Sequence, residues 1–234
     1  LSDQALEVAR AIYSNEYNLS GRVMNSKLHA ASELLLTTGE EQYRKFILEN
    51  ETAVIKGIRD LAWLLGRSLD KIGNVQFTSS VRTAAKTLSD EITKLSAETP
   101  FGVPYRPHIW GAGWDIQSFG VRQYYLHKYF PDIFQSAPVF NALNFILGVH
   151  PGENTSSFAS GVGSRSTTVA YGVNRADWSY IPGGVSSGTA LIRPDFPELL
   201  DWPYLWQQQE YVMGGGATNF MFLVLAADEL LGGK

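Results

Sequence analysis

The residues best suited to do chemistry lie near the end of the sequence, in Asp201-Trp-Pro-Tyr-Leu-Trp-Gln-Gln-Gln-Glu-Tyr-Val-Met-Gly-Gly-Gly-Ala. One carboxylate, Glu210, stands where an aromatic, proline-bearing loop gives way to an apolar helical pattern running from Thr218 to Leu231. Trp202, Tyr204, Trp206 and Tyr211 flank it. Aromatic faces can stack on a pyranose ring, and partial burial raises a carboxyl pKa toward the value a general acid needs. The same placement also fits a plainer role, a carboxylate that complements the positive end of a helix dipole. The local residues leave both readings open.

A second aromatic cluster lies at 99–115, where Pro100, Gly102, Pro104, Pro107, Gly111 and Gly113 alternate with Tyr105, His108, Trp110 and Trp114. A third segment, Val149 to Trp206, is dense in Gly, Ser, Thr and Pro but carries His150, Tyr171, Arg175, Trp178 and Tyr180. Loops longer than about 12–15 residues are usually functional or disordered. This aromatic and charged content predicts a folded loop over one face of a helical domain. Trp110, Trp114, Trp178, Trp206 and Tyr211 are the candidate stacking residues, and Trp is equally a common core anchor. Arg175 is a hydrogen-bond donor to a sugar hydroxyl or a carboxylate, or else a loop staple. Asp177, Asp195 and Asp201 are loop carboxylates that could serve as a base, although Asx-turns and helix caps use the same residue. His29, His108, His127 and His150 show no ligand spacing, so the sequence gives no support for a metal site and implies no cofactor.

The elements that must position these residues are helical. Ser2 is placed as the N-cap of a helix reaching about Tyr13, with Leu6, Val8, Ala9 and Ile12 on its apolar face. A second helix spans Arg22 to Thr37, with Gly39 as its C-cap, and a short one bears Tyr43, Phe46 and Ile47. The apolar spacing predicts further helices over Thr52–Leu65 and Ser80–Ala97. In the latter, Arg82, Lys86, Asp90, Glu91 and Lys94 read as a solvated face. Two more follow, Ile116–Tyr129 and Pro131–Leu147, the second closed by Gly148. The last covers Gln207–Leu231, where the Gly214-Gly-Gly run costs roughly 1 kcal/mol per glycine unless a neighbour packs closely against it. Strand-like alternation is scarce, so the expected class is all-α, a single helical domain over 1–234.

Composition narrows the classes of partner. The 234 residues are 44% hydrophobic and 18% charged, with net charge −4 and no cysteine. That supports a sizeable core and excludes disulfides and thiolate metal sites. No basic stripe is present, which argues against a nucleic-acid groove. The longest strongly apolar run, Phe220 to Ala227, is too short for a membrane span. The sequence opens on Leu1 rather than Met, which is expected of a processed or truncated start.

Several segments, in order, resemble family 9 glycoside hydrolases, β-glucan-cleaving enzymes with an (α/α)6 barrel. Ala30-Ala-Ser-Glu-Leu-Leu-Leu-Thr-Thr-Gly-Glu-Glu-Gln-Tyr is similar to the family's Ala-Ala-x-Glu-Leu helix followed by Thr-Gly-Asp and Tyr. Trp110-Gly-Ala-Gly-Trp stands at its Trp-Gly turn. Leu147-Gly-Val-His-Pro resembles Leu-Gly-x-Asn-Pro, and Ser160-Gly-Val-Gly resembles Thr-Gly-Phe-Gly. Gln209-Glu-Tyr-Val-Met-Gly-Gly-Gly-Ala resembles the Asn-Glu-x-x-x-x-Tyr-Asn-Ala run that carries the general acid.

The resemblance implies a fold of helical hairpins forming roughly half of an (α/α)6 toroid, with 149–206 as a long active-site loop. It implies Glu210 as the general acid of an inverting hydrolysis, and Trp110, Trp114, Arg175, Trp178, Trp206 and Tyr211 as substrate contacts. It also implies a secreted or periplasmic setting. Three departures matter. Val173-Asn-Arg replaces the family's His-His-Arg, keeping only Arg175, and Gly215-Gly replaces Tyr-Asn. The Asp-Ala-Gly-Asp segment that supplies the catalytic base does not occur among these 234 residues. The expected partner is therefore an N-terminal half of the same enzyme, or a second copy. Two other functions remain: a non-catalytic carbohydrate-binding or scaffolding module, and a polysaccharide lyase using Tyr171, Tyr180 or His150 as base.

Overall fold

A computed structural model describes residues 2–14, 21–104, 112–150, 157–163, 166, 170–171, 178–179, 181–186 and 215–232. In chain order its elements are α1 (Asp3–Ser14), α2 (Gly21–Thr38), α3 (Glu41–Glu49), α4 (Glu51–Lys56), α5 (Ile58–Ile72), α6 (Val75–Ala97), α7 (Ala112–Tyr129) and α8 (Ala137–Ile146). A two-residue antiparallel ladder follows, β1 (Ala170–Tyr171) with β2 (Trp178–Ser179), and then α9 (Gly215–Leu230). The expected all-α class is the one observed. The residues form two compact units, one of 1–91 with 125–134, the other of 92–124 with 135–234.

Local chemistry sets the helix ends. Ser2 caps α1 as expected, its Oγ accepting from Ala5 N at 3.2 Å. Gly39 (φ 70°) ends α2, its N–H donating to Leu35 O at 2.9 Å. Several boundaries differ from the sequence expectation. The helix read over Thr52–Leu65 is two helices, because the chain breaks at Gly57. A Cβ there would come within 2.6 Å of Asn25 Oδ1 and 3.2 Å of Ala53 O. α6 begins five residues before Ser80, since Asn74 Oδ1 accepts from Phe77 N at 2.9 Å and caps it. α8 begins at Ala137, not Pro131, because the chain turns first. Ile133 N and Phe134 N both donate to Phe130 O, and His127 Nδ1 donates to Phe134 O at 2.8 Å.

In the first unit α2 packs on α3 and α5. Its core holds Leu28, Leu34, Leu35, Tyr43, Ile47, Leu61, Leu65, Phe77, Val81, Leu126 and Phe130, all buried. The apolar stripe expected to seat α1 does not bury: Val8 is 54% exposed and Ile12 63%. Tyr13 does the packing instead, edge-on to Tyr43 and Phe46 at 5.1 and 5.6 Å. Burial, then the charge of Tyr43, pushes the Tyr13 phenol up to about 12. Arg10 pairs with Glu40. The Gln42 and Arg10 hydrogen bonds hold the Glu40 carboxyl below its usual range. The charged face of α6 is solvated as expected, and its side chains form exposed pairs: Lys86 with Asp90 at 3.3 Å, Arg82 with Asp132, and Arg59 with Glu91.

The second unit positions the residues of interest. α9 packs on α8, and its core comprises Ile116, Tyr124, Val139, Ala142, Phe145, Ile146, Phe158, Val185, Leu223 and Ala226.

Candidate functional site

Trp114 is half-buried on the first turn of α7, a helix that begins at Ala112, four residues before the Ile116 start expected from the sequence. Three contacts fix α7 against its neighbours. Asn219 Nδ2, in the first turns of α9, donates to Ser118 Oγ at 3.2 Å. Gly120 lets the helices approach, since a Cβ there would lie 2.7 Å from Ala142 Cβ of α8 and 2.9 Å from Leu223 Cδ1 of α9. Tyr124 Oη donates to Glu229 Oε2 at 2.6 Å, and the Tyr124 ring meets Phe222 edge-on at 5.4 Å. The start of α9 is thus held beside the second turn of α7. Glu210 precedes Gly215 by five residues in the sequence.

The long loop is anchored at the end of α8. Gly148 (φ 116°) closes that helix with paired bonds, Val149 N to Asn144 O at 2.9 Å and Gly148 N to Phe145 O at 3.3 Å. That pattern satisfies two terminal carbonyls and needs a residue tolerant of positive φ. The turn delivers His150, 7% exposed, onto the Phe158 ring (centroids 4.7 Å apart, planes at 24°) and beside Phe145. Packed this way, His150 is a core side chain rather than an open base.

The Ser160-Gly-Val-Gly segment folds back beside it. Phe158 N donates to Ile146 O at 2.8 Å and Ser186 N to Phe158 O at 2.8 Å. Ser160 N donates to Gly184 O at 2.9 Å and Gly183 N to Ser160 O at 2.8 Å. Gly161 N reaches Ser166 Oγ at 2.9 Å. The Phe158–Ile146 bond thus ties the chain just before Ser160-Gly-Val-Gly to the last residue of α8. Farther on, the ladder pairs Tyr171 with Trp178 and Ala170 with Ser179, and its connection, 172–177, contains Arg175.

Of the predicted site residues, Trp114 and Trp178 lie in α7 and β2. Glu210, Trp110, Arg175, Trp206 and Tyr211 fall outside the described residues, as do Asp177, Asp195, Asp201, His108 and Tyr180. His29 is exposed, edge-on to Trp63 at 6.1 Å. Among the described residues no group of His, Cys, Asp and Glu could hold a metal ion, and no helix is long and apolar enough to cross a membrane. One polar residue escaped the sequence reading. Gln117 of α7 is completely buried, and neither its Nε2 nor its Oε1 has a hydrogen-bond partner.

No protein-family model and no curated protein matches the sequence. Solved structures do. The crystal structure of a single-mutant thermostable endoglucanase from Alicyclobacillus acidocaldarius superposes with a TM-score of 0.70 at 16% identity, covering 97% of this chain and 49% of that one. A metagenome-derived glycoside hydrolase family 9 endoglucanase gives 0.66 at 16% identity, covering 92% and 42%. The chain spans about half the length of the structures it matches, or less. The all-α fold expected here, equivalent to roughly half of an (α/α)6 toroid, is the fold these structures share with it.

Proposed function

We propose that this chain is the acid-bearing part of a glycoside hydrolase acting on β-glucan poly- or oligosaccharides, with Glu210 as general acid. The observation that carries the reading is the junction of α7 and α9. The Asn219–Ser118 bond ties the helix that Glu210 precedes to the helix that carries Trp114 in its first turn. The match to endoglucanase structures supports it. In this reading Trp110, Trp114, Trp178, Trp206 and Tyr211 offer stacking faces to the sugar, and Arg175 donates to a hydroxyl or to a carboxylate. Glu210 protonates the glycosidic oxygen as it leaves. A second carboxylate about 6.5–9.5 Å away deprotonates the attacking water, and the anomeric centre inverts. We assign that base to an N-terminal half of the same enzyme, because the Asp-Ala-Gly-Asp segment is absent from this sequence. Polymeric β-glucan is met outside the cytoplasm, so the reading goes with a secreted or periplasmic protein.

The test is binding and turnover on the 234-residue chain. Calorimetric titration with a β-glucan hexasaccharide is expected to detect binding. Hydrolysis is expected to be about 10²–10⁴-fold below that of a complete enzyme, the usual contribution of a general base. No binding would defeat the reading.

A second reading, a carbohydrate-binding or scaffolding module without catalysis, is favoured by the same missing base. Reading the coding sequence upstream of Leu1 separates the two. An aspartate-rich loop there supports the hydrolase, and a polypeptide with none supports the module.

A further inference from the structure

We propose that the uncovered apolar faces of α9 and α1 are docking surfaces for the N-terminal half of the same enzyme, which closes a ring of helices against both. The inference rests on the assignment of the catalytic base to that half, and it names where the two parts meet.

The middle of α9 is apolar on every side. Phe220 to Ala227 is an unbroken run of apolar residues, more than one face of a helix can hold. Leu223, Ala226 and Ala227 are buried. That side is covered by α8 and by α7, the latter through the Asn219–Ser118 and Tyr124–Glu229 bonds. Away from it, Met221, Val224 and Leu225 are 59, 40 and 64% exposed. Their spacing of i, i+3 and i+4 makes them one stripe. A helix that is apolar all round is one that its protein buries, and a contiguous exposed stripe marks a surface that meets a partner.

The pattern of exposure says which partner. Among the described residues, helices expose large apolar side chains at Val8 and Ile12 of α1, Val23 of α2, and Met221, Val224 and Leu225 of α9, apart from Val75 at the first residue of α6. The helices between give water polar residues, as α6 does with Thr83, Lys86 and Asp90. The apolar faces therefore belong to the first and last members of a series of helices. A helical array that stops in water ends on polar capping faces. This one ends on apolar faces at both limits. In a closed (α/α)6 ring every helix pair is flanked on both sides, and this chain superposes over 97% of its length on only 49% of a matching structure. The rest of such a ring abuts α9 at one limit and α1 at the other. A second copy can cover the same faces but brings no Asp-Ala-Gly-Asp segment.

The experiment measures thermal unfolding of L225E and I12E in two settings, the 234-residue chain and the intact protein read from its coding sequence. In the 234-residue chain both side chains meet water, and each variant is expected to melt within about 1 °C of wild type. In the intact protein the same charge is forced between packed helices without a partner, and melting is expected about 5 °C lower. T83E, on the solvated face of α6, is the control and is expected to change neither. Equal melting of wild type and the variants in the intact protein overturns the proposal. An effect of only one variant also overturns it, because a ring meets both limits. Destabilisation by L225E already in the 234-residue chain has the same consequence, since the stripe is then covered by this chain itself. A 234-residue chain that sediments as a dimer, split by L225E, gives the face to a second copy and overturns the assignment. A coding sequence that adds no helical segment before Leu1 removes the partner and the proposal together. Sugar binding and hydrolysis enter none of these measurements, so the carbohydrate reading can fail while the docking stands, and the reverse.

Discussion

Tyr124 Oη donates to Glu229 Oε2 at 2.6 Å across 105 residues of sequence, binding the middle of α7 to the last turns of α9. Tyr124 is 5% exposed and its ring is braced edge-on by Phe222, so its hydroxyl is held in place by packing. Loss of such a bond from a buried donor to a more exposed carboxylate is worth about 1 kcal/mol. Y124F is expected to lower the melting temperature by about 3 °C, and E229Q, which keeps an acceptor, by less. Differential scanning calorimetry of the three proteins checks this, and equal stability of all of them would remove the bond from the account.

Gly120 makes the opposite kind of prediction. Alanine in a helix interior normally gains about 1 kcal/mol over glycine. Here the added methyl would sit 2.7 Å from Ala142 Cβ and 2.9 Å from Leu223 Cδ1. Ala142 is short and cannot swing away, so α7 and α8 must part, at about 1–3 kcal/mol for overpacking. G120A is expected to be neutral to destabilising, and G120V clearly destabilising. A higher melting temperature for G120A would show that the helices separate freely.

How far these contacts were legible in the sequence depends on whether a local rule governed them. Ser2, Gly39 and Gly148 end or start helices by capping chemistry that acts within five residues, and each is where the sequence put it. At Gly57, where one helix gives way to the next, a Cβ would meet Asn25, more than thirty residues away, and no periodicity records that. Asn74 is a cap of recognisable type, but it stands outside the apolar pattern that begins at Ser80. Val8 and Ile12 follow the helical spacing yet stay exposed, because spacing fixes a face without supplying a partner for it. Gln117 was invisible for a different reason: a lone glutamine in a helix ordinarily points to water, and only its neighbours bury it. The candidate site residues stand out in the sequence by type, and all but Trp114 and Trp178 lie outside the described residues; the α7–α9 packing is visible only through long-range pairs such as Asn219 with Ser118.

Alkaline stability follows from Tyr13, whose phenol is pushed up to about 12 from the ordinary value of 10.0, first by burial and then by Tyr43. The folded state therefore holds this proton more tightly than the unfolded chain does. The stabilisation is complete below pH 10.0 and is lost as pH rises from 10.0 toward about 12, where the unfolded state ionises first. Because the ring is half-exposed, the effect is modest. Y13F is expected to flatten the decline of denaturant midpoint between pH 10 and 12 relative to wild type. Parallel curves for the two proteins would assign the alkaline loss to other groups.

The decisive chemical prediction concerns Glu210. A general acid matters in proportion to how badly the leaving oxygen needs a proton. In the intact enzyme, E210Q keeps the shape and hydrogen-bonding reach of the side chain but cannot donate that proton, so oligosaccharide affinity is expected to persist. Hydrolysis of natural β-glucan oligosaccharides, whose leaving group is a poorly acidic sugar alcohol, is expected to fall about 10²–10⁴-fold. Aryl glycosides with an acidic phenol leave without help, and on them E210Q is expected to lose far less. A change at the nucleophilic water or in sugar binding would slow both substrates alike, so the ratio of the two losses reports the role. Full activity of E210Q on the natural oligosaccharides would remove Glu210 from the chemistry and favour the binding module.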